Sequence, residues 1–396
     1  MKEWKEYKLN ELGKVNRGKS KHRPRNEPAL FGGKYPFIQT GDIKAANFYI
    51  NEYSQTYSEM GLSQSKLWKK GTLCVTIAAN IAETAILDMD ACFPDSIIGF
   101  VADEKKSDVK FIKYHFDLLK LHLQSISQGT TQDNLSQEKL LSFVFKAPSL
   151  LMQQKIAGIL STYDDLIETN TQRIQLLEET AQQLYKEWFV RMRFPDYKKV
   201  KFVKGVPNWE EIKFGDIVSF SKGLNPKELF EISREGFKLY VNIEAIEGGK
   251  QTFCNDKKTV DVKDNEVVMI MDGSRSGVVL KSKAGVLGST LSVIRCKKGF
   301  EDFDSYLFYF LKQNFDWIES NNVGSAIPHA NRKFIQQITL LKPPIELIKK
   351  FENIAKPMEI LIENLQQQNT QLRQIRDRLL PRLVSGQLVV KSEEVV

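Results

Sequence analysis

The sequence predicts an α+β protein built by internal duplication, with two β-rich domains separated by two long helices that pair antiparallel. Three observations carry this. At 396 residues the chain exceeds one ordinary core. Its second half repeats the first in order. Each half ends in a segment where apolar residues recur at alternating spacings of four and three. The expected division is residues 1–148 and 195–343 for the two β-rich domains, and 149–194 and 344–396 for the helical spacers.

The copies are divergent but collinear. The run from Trp4 to Leu12 returns from Trp209 to Ile217, and Phe37–Ile43 returns as Tyr240–Ile246; both members of the second pair read as short strands. The apolar run Leu73–Ile77 matches Val267–Met271, each a strand expected to lead into an exposed small-residue turn, 78–82 and 272–277. Amphipathic helices starting near Phe111 and Tyr306 follow at an offset of 195, their aromatics assigned to the core. Each leads to a Gly-Ser/Thr loop, 128–134 or 323–329, and then to a strand ending at Pro148 or Pro343.

After each proline the period becomes helical. The first seam comprises Ile156, Leu160, Tyr163, Ile167, Asn170, Ile174, Leu177, Ala181, Leu184 and Trp188. The second comprises Phe351, Ala355, Met358, Ile362, Leu365, Asn369, Leu372, Arg376, Leu379 and Leu383, weaker only at Arg376. So long a seam argues for a coiled coil. Setting Asn170 opposite Asn369 in an antiparallel pair makes partner numbers sum to 539, which faces Ile156 with Leu383 and Trp188 with Phe351, ends flush. A parallel pair would leave each amide against an aliphatic residue. Residues 156–188 then span roughly 50 Å at 1.5 Å per residue. Pro357 inside the second seam predicts a kink or restart. Helices of other subunits remain alternative or additional partners for these seams.

With 42% hydrophobic and 27% charged residues, the composition is that of a folding globular chain. No apolar run suits a membrane span and the first residues lack a signal core, so a cytoplasmic protein is expected. Cys74, Cys92, Cys254 and Cys296 stand singly in apolar runs and are expected to be buried thiols. The net charge of +8 favours a polyanionic partner. Arg17, Lys19, Lys21, His22, Arg23 and Arg25 crowd one loop with no carboxylate until Glu27.

Motifs for chemistry fail on context. Gly13-Lys-Val-Asn-Arg-Gly-Lys-Ser20 fits the phosphate-loop pattern, but Pro24 and Pro28 follow where that loop needs a helix. Asp95 with Asp103-Glu104-Lys105 could suggest a magnesium nuclease, yet the latter reads as a turn. His115 and His122 lack the carboxylate partners of a metal site. No Asn-Pro-Pro-aromatic segment or dinucleotide loop appears, so no catalytic and no metal-binding residues are assigned. The candidate nucleic-acid contacts that remain are Arg17, Lys19, Lys21, Arg23 and Arg25, then Thr130, Thr131, Gln132 and Asn134 in the first domain. In the second they are Lys222, Arg275, Ser325, His329, Asn331 and Arg332. Such side chains neutralise phosphate or offer hydrogen bonds to base edges. Ordinary polar surface is the alternative for any one of them.

Gly129-Thr-Thr-Gln-Asp-Asn-Leu135, Gln153-Gln-Lys-Ile-Ala-Gly-Ile-Leu160, Leu184-Tyr-Lys-Glu-Trp-Phe-Val-Arg-Met-Arg-Phe-Pro195 and Leu379-Leu-Pro-Arg-Leu-Val-Ser-Gly-Gln-Leu388 together resemble the specificity (S) subunits of Type I restriction-modification systems. The resemblance covers essentially the whole chain. It implies two target-recognition domains, each reading half of a bipartite site in double-stranded DNA, held apart by helical spacers that also bind methyltransferase subunits, two in number. It implies that this chain is not an enzyme and binds no cofactor. Modification subunits would use S-adenosylmethionine to methylate adenine, and motor-nuclease restriction subunits would use ATP and Mg to cut. Two departures stand out: the second loop lacks the Thr-Gln pair of the first, and Gln153 occupies a place where the family often has glutamate.

Overall fold

The structure, a computed structural model, describes residues 4–78, 82–127 (backbone alone over 121–127), 137–324 and 326–390. It divides into two compact units, residues 1–172 with 367–396, and residues 173–366. Each long helix begins in one unit and ends in the other. Among the described residues no helix is long and apolar enough to cross a membrane.

In the first unit a five-stranded sheet runs in the order Gly13–Arg17, Ile97–Ala102, Leu73–Thr76, Thr84–Leu87, Tyr49–Ile50. A four-stranded sheet runs Gln55–Tyr57, Phe31–Phe37, Ala91–Cys92, Leu67–Trp68. Lys5–Lys8 pairs antiparallel with Val144–Ala147, tying the start of the domain to its end. The second unit repeats the plan: Val218–Lys222, Leu291–Cys296, Val267–Ile270 and Val279–Lys281 form one sheet, Phe253–Cys254, Lys238–Val241, Gly285–Leu287 and Asp261–Val262 another, and Glu211–Lys213 pairs with Thr339–Leu341. The central strands Leu73–Thr76 and Val267–Ile270 are buried throughout, as expected of strands covered on both faces. Phe111, Phe116, Tyr306 and Phe310 are core residues of helices Val109–Ser127 and Asp304–Gln313.

Several sequence expectations need correction. Phe37–Ile43 and Tyr240–Ile246 are not short strands: the chain leaves the sheet at Phe37 and Val241 and turns into helices Thr40–Ala45 and Ile243–Ile246. Caps decide this. Asn242 accepts from the Ala245 N–H at 2.8 Å, and Asp42 accepts from the Gln39 N–H at 2.7 Å. The turn after Val267–Ile270 is exposed only at Ser274 and Arg275, since Ser276 and Gly277 are buried. Cys74, Cys92 and Cys254 are buried, but Cys296 is only partly so, its Sγ lying 3.2 Å from the Asp304 carboxylate. The second long helix does not restart at Pro357; it is continuous from Ile345 to Val384. Pro357 sits on the exposed face, where water can take up the carbonyl that loses its N–H partner.

The long helices, Leu150–Tyr185 and Ile345–Val384, carry the predicted seams on their inner faces, except that Trp188 falls in the π-helical turn Lys186–Val190 that continues the first. Ile156, Leu160, Ile167, Trp188, Leu365 and Leu383 are buried, and Ile174, Leu177, Leu184, Ile362, Leu372 and Leu379 half-buried. In the first unit Asn170 Nδ2 donates to Asn369 Oδ1 at 3.0 Å, and in the second the Trp188 and Phe351 rings are 6.0 Å apart. Both are partners under the antiparallel register. Because each amide answers the other, changing only one of Asn170 and Asn369 to Leu should cost about 1–3 kcal/mol, whereas changing both should raise the melting temperature as aliphatics pack together. Denaturant melts of the two singles and the double check this; a double variant less stable than both singles would contradict it.

Polar contacts fasten each domain helix to a spacer. Gln153, buried, accepts from the Asp108 N–H at 3.1 Å and donates to the Lys106 and Pro148 carbonyls, both at 3.0 Å. A glutamate there would turn a carboxylate toward two carbonyls, so the amide suits this environment. In the second unit Glu352 accepts from the Tyr306 N–H at 2.9 Å, capping Asp304–Gln313 from outside. Burial pushes the Glu352 carboxyl up from 4.5 to about 7, with the Tyr306 N–H opposing it and Glu359 and Asp304 adding to it. The folded pKa exceeds the unfolded one, so this stability is complete below pH 4.5 and drains away as pH rises toward 7. Glu352→Gln keeps the acceptor without the charge. Urea melts at pH 5 and pH 8 should show the variant gaining on the parent by roughly 3 kcal/mol at the higher pH.

Candidate nucleic-acid interface

The cationic loop of the first unit leaves the strand Gly13–Arg17, and its backbone is fixed on both sides. Gly18 N–H donates to the Ile97 carbonyl at 2.8 Å and Lys19 N–H to the Phe93 carbonyl at 3.0 Å. A Cβ on residue 18 would stand 2.2 Å from the Pro94 oxygen, so this approach requires glycine. The Asp95 carbonyl accepts from Arg17 Nε at 3.0 Å, and its carboxylate pairs with Arg25 at 2.9 Å. Gln64 accepts from the Lys21 and His22 N–H groups at 2.5 and 3.0 Å, and Arg23 donates to the Ser20 and His22 carbonyls. Arg17, Lys19, Lys21, Arg23 and Arg25 are all exposed on this braced loop.

Lys66 enlarges the patch. Its ammonium lies 3.5 Å from the centre of the Trp68 ring, and burial, followed by the Lys14 and Lys19 charges, holds its pKa below the usual lysine range. Cations gathered this closely create a field suited to a polyanion. Neither Lys14 nor Lys66 was singled out by the sequence: Lys14 lies on the strand that leads into the loop, and Lys66 adjoins Leu67–Trp68, a strand of the other sheet that only the fold brings near.

The residues considered for catalysis have structural work. The start of the phosphate-loop match is a strand, Asp95 braces the loop, and Asp103 closes a turn by accepting from the Lys105 N–H at 3.1 Å. His115 is buried beside Phe111 and Phe145 with Nε2 2.7 Å from the Lys146 carbonyl, and burial lowers its pKa.

In the second unit Lys222, at the end of the strand equivalent to Gly13–Arg17, occupies the place of Arg17. Its Nζ is 3.0 Å from Asp272 Oδ2, while His329 Nδ1 is 2.7 Å from Asp272 Oδ1. Partial burial works against the Asp272 charge, but His329 and Lys222 outweigh it and keep the carboxyl below its ordinary pKa. Arg332 stacks over the Phe220 ring at 5.4 Å, and Phe220 shares a strand face with Lys222. Lys222, His329 and Arg332 are thus brought together. Arg275 is held apart by an ion pair with Glu247 at 2.7 Å. Asn331 accepts from the Phe334 N–H at 3.1 Å as the cap of Arg332–Gln337, which commits its oxygen. Thr130, Thr131, Gln132, Asn134 and Ser325 lie outside the described residues.

Two stretches, residues 1–179 and 207–375, match the family model described as Type I restriction modification DNA specificity domain. The chain is 26% identical to the Type I restriction enzyme MjaIX specificity subunit of Methanocaldococcus jannaschii, covering 99% of this chain and 95% of that one. It is 27% identical to the HindI specificity subunit of Haemophilus influenzae, over 59% of this chain and 50% of that one. The S subunit of a Type I restriction-modification system from M. genitalium shares its fold, with TM-score 0.62, 17% identity and 96% of each chain covered.

Proposed function

Because the chain belongs to the Type I restriction modification DNA specificity family, whose role is DNA sequence specificity, we propose that each of its duplicated domains reads one half of a bipartite site in double-stranded DNA. The observation that carries this is the repeated cation: Arg17 and Lys222 end equivalent strands in the two copies, each held by the loop that faces it. Arg17, Lys19, Lys21, Arg23, Arg25 and Lys222 neutralise phosphate; His329 and Arg332 approach base edges, as do Thr130, Thr131, Gln132, Asn134 and Ser325, while Arg275 joins them on giving up Glu247 and Asn331 does so through its amide nitrogen. In this reading the chain is a non-catalytic cytoplasmic subunit. Two methyltransferase subunits seated on the spacers use S-adenosylmethionine to methylate adenine, and restriction subunits use ATP and Mg to cleave. Purified chain should bind duplex DNA with an affinity that falls linearly in log salt, and Lys19→Ala should reduce that slope by about one. Genome-wide methylation mapping should find a bipartite adenine motif only when this chain accompanies its methyltransferase. Salt-independent binding, or methylation by the chain alone, would overturn the reading.

A further inference from the structure

We propose that Asp272 is a positioning residue for DNA readout: it holds His329 by Nδ1, leaving Nε2 to contact one base edge in the half-site read by the second domain. The inference rests on the function proposed above and adds to it the class of contact and the residue that sets it. A carboxylate near a phosphate-binding surface is unfavourable unless it is neutralised. Here both oxygens are used, Oδ1 at 2.7 Å from His329 Nδ1 and Oδ2 at 3.0 Å from Lys222 Nζ, so the acid gathers one candidate base contact and one candidate phosphate contact.

The backbone that carries His329 is fixed independently of that hydrogen bond. His329 N–H donates to the Val323 carbonyl at 2.7 Å and Val323 N–H returns to the His329 carbonyl at 2.9 Å. Ala330 N–H donates to the Met271 carbonyl at 2.8 Å and Gly273 N–H to the Pro328 carbonyl at 2.9 Å, which joins the loop to the end of Val267–Ile270. Gly324 has φ +97°, and a Cβ there would lie 2.4 Å from the Ile327 oxygen, so the turn itself selects glycine. The His329 side chain is 47% exposed, so the ring is accessible while one of its nitrogens is engaged. With Nδ1–H directed at Asp272, Nε2 is the ring nitrogen left to meet a base edge, and in that tautomer it is an acceptor. The acceptor's complement in the major groove is an exocyclic amine, N6–H of adenine or N4–H of cytosine.

The test uses the full chain expressed with its methyltransferase subunits, with genomic DNA as substrate and the methylated motif as readout. Asp272→Leu and His329→Ala should each relax the same single position of one half-site, with discrimination there falling about tenfold or more. The other half-site and the melting temperature should be unchanged. Asp272→Asn, which can still accept from Nδ1–H, should restore most of the discrimination. An unaltered motif in Asp272→Leu and His329→Ala would overturn the inference. So would loss of the entire half-site together with a lowered melting temperature, since that is the signature of a merely structural pair. If the parent chain directs no methylation and binds no DNA, it is the proposed function that fails.

Discussion

Arg376→Met should cost the first unit about 3–5 kcal/mol in a urea melt, because it strands the Asp164 carboxylate in the interior. Asp164 is 3% exposed; it accepts from the Tyr114 hydroxyl and pairs with Arg376, which also reaches the exposed Asp377. Burial opposes the Arg376 charge, but the Asp164 carboxylate outweighs it and holds the guanidinium above the usual arginine pKa. Burial, then Asp164, likewise pushes the Tyr114 hydroxyl up. The three residues come from the domain helix Val109–Ser127 and from both long helices, so the pair locks three elements at once. Replacing the whole group, as Tyr114→Phe/Asp164→Leu/Arg376→Met, leaves no polar atom without a partner and should recover most of the loss. A single variant as stable as the parent would show that water reaches Asp164.

The second unit places an acid and a phenol at the equivalent positions, with a different cation and without the hydrogen bond between them, since Glu359 Oε1 has no hydrogen-bond partner among the described residues. Glu359 stands 195 residues after Asp164, and Tyr309 195 after Tyr114, but the positive charge is Lys281 Nζ at 2.8 Å, from a strand instead of a helix. In each copy the cation comes from a different element, the second long helix in the first unit and the strand Val279–Lys281 in the second.

Periodicity explains which features were legible. Seams extending over nearly five heptads fix facing positions by number alone, so Asn170–Asn369 and Trp188–Phe351 followed from one register. Arg376 looked like the weak point of that seam, yet the same register sets it opposite Tyr163, next to Asp164; the signal for a buried pair was present and unused. Thr40–Ala45 and Ile243–Ile246 were read as strands because a helix of one turn has no period to detect. Asp95 and Asp272 were invisible as braces for another reason. Asp95 meets Arg25 from 70 residues away and Asp272 meets His329 from 57, and only the fold makes them neighbours.

Replacing residues 1–148 with the corresponding domain of a different specificity subunit should change one half of the methylated sequence completely and leave the other half intact. The cut suits the structure. Lys5–Lys8 and Val144–Ala147 are partners in one ladder, so the exchange removes both strands together and leaves no unpaired edge. What crosses the junction is a shared core, in which Ile156, Leu160, Leu380 and Leu383 cluster with Phe111 and Phe145, together with specific polar contacts: Gln153 needs an N–H equivalent to that of Asp108 and carbonyls equivalent to those of Lys106 and Pro148, Glu168 needs amides in place of Asn47 and Asn51, and Asp164 needs a hydroxyl in place of Tyr114. An incoming domain lacking those partners would leave Gln153 and Asp164 partly unsatisfied at about 1–3 kcal/mol each, a folding defect that a melt detects before any motif is mapped. Chimeras should therefore be chosen to keep that tyrosine, and their melting temperature compared with the parent. In a stable chimera, the half-site that responds to Asp272→Leu should be the half that the exchange leaves unaltered. Both halves changing together would show that the domains do not read independently.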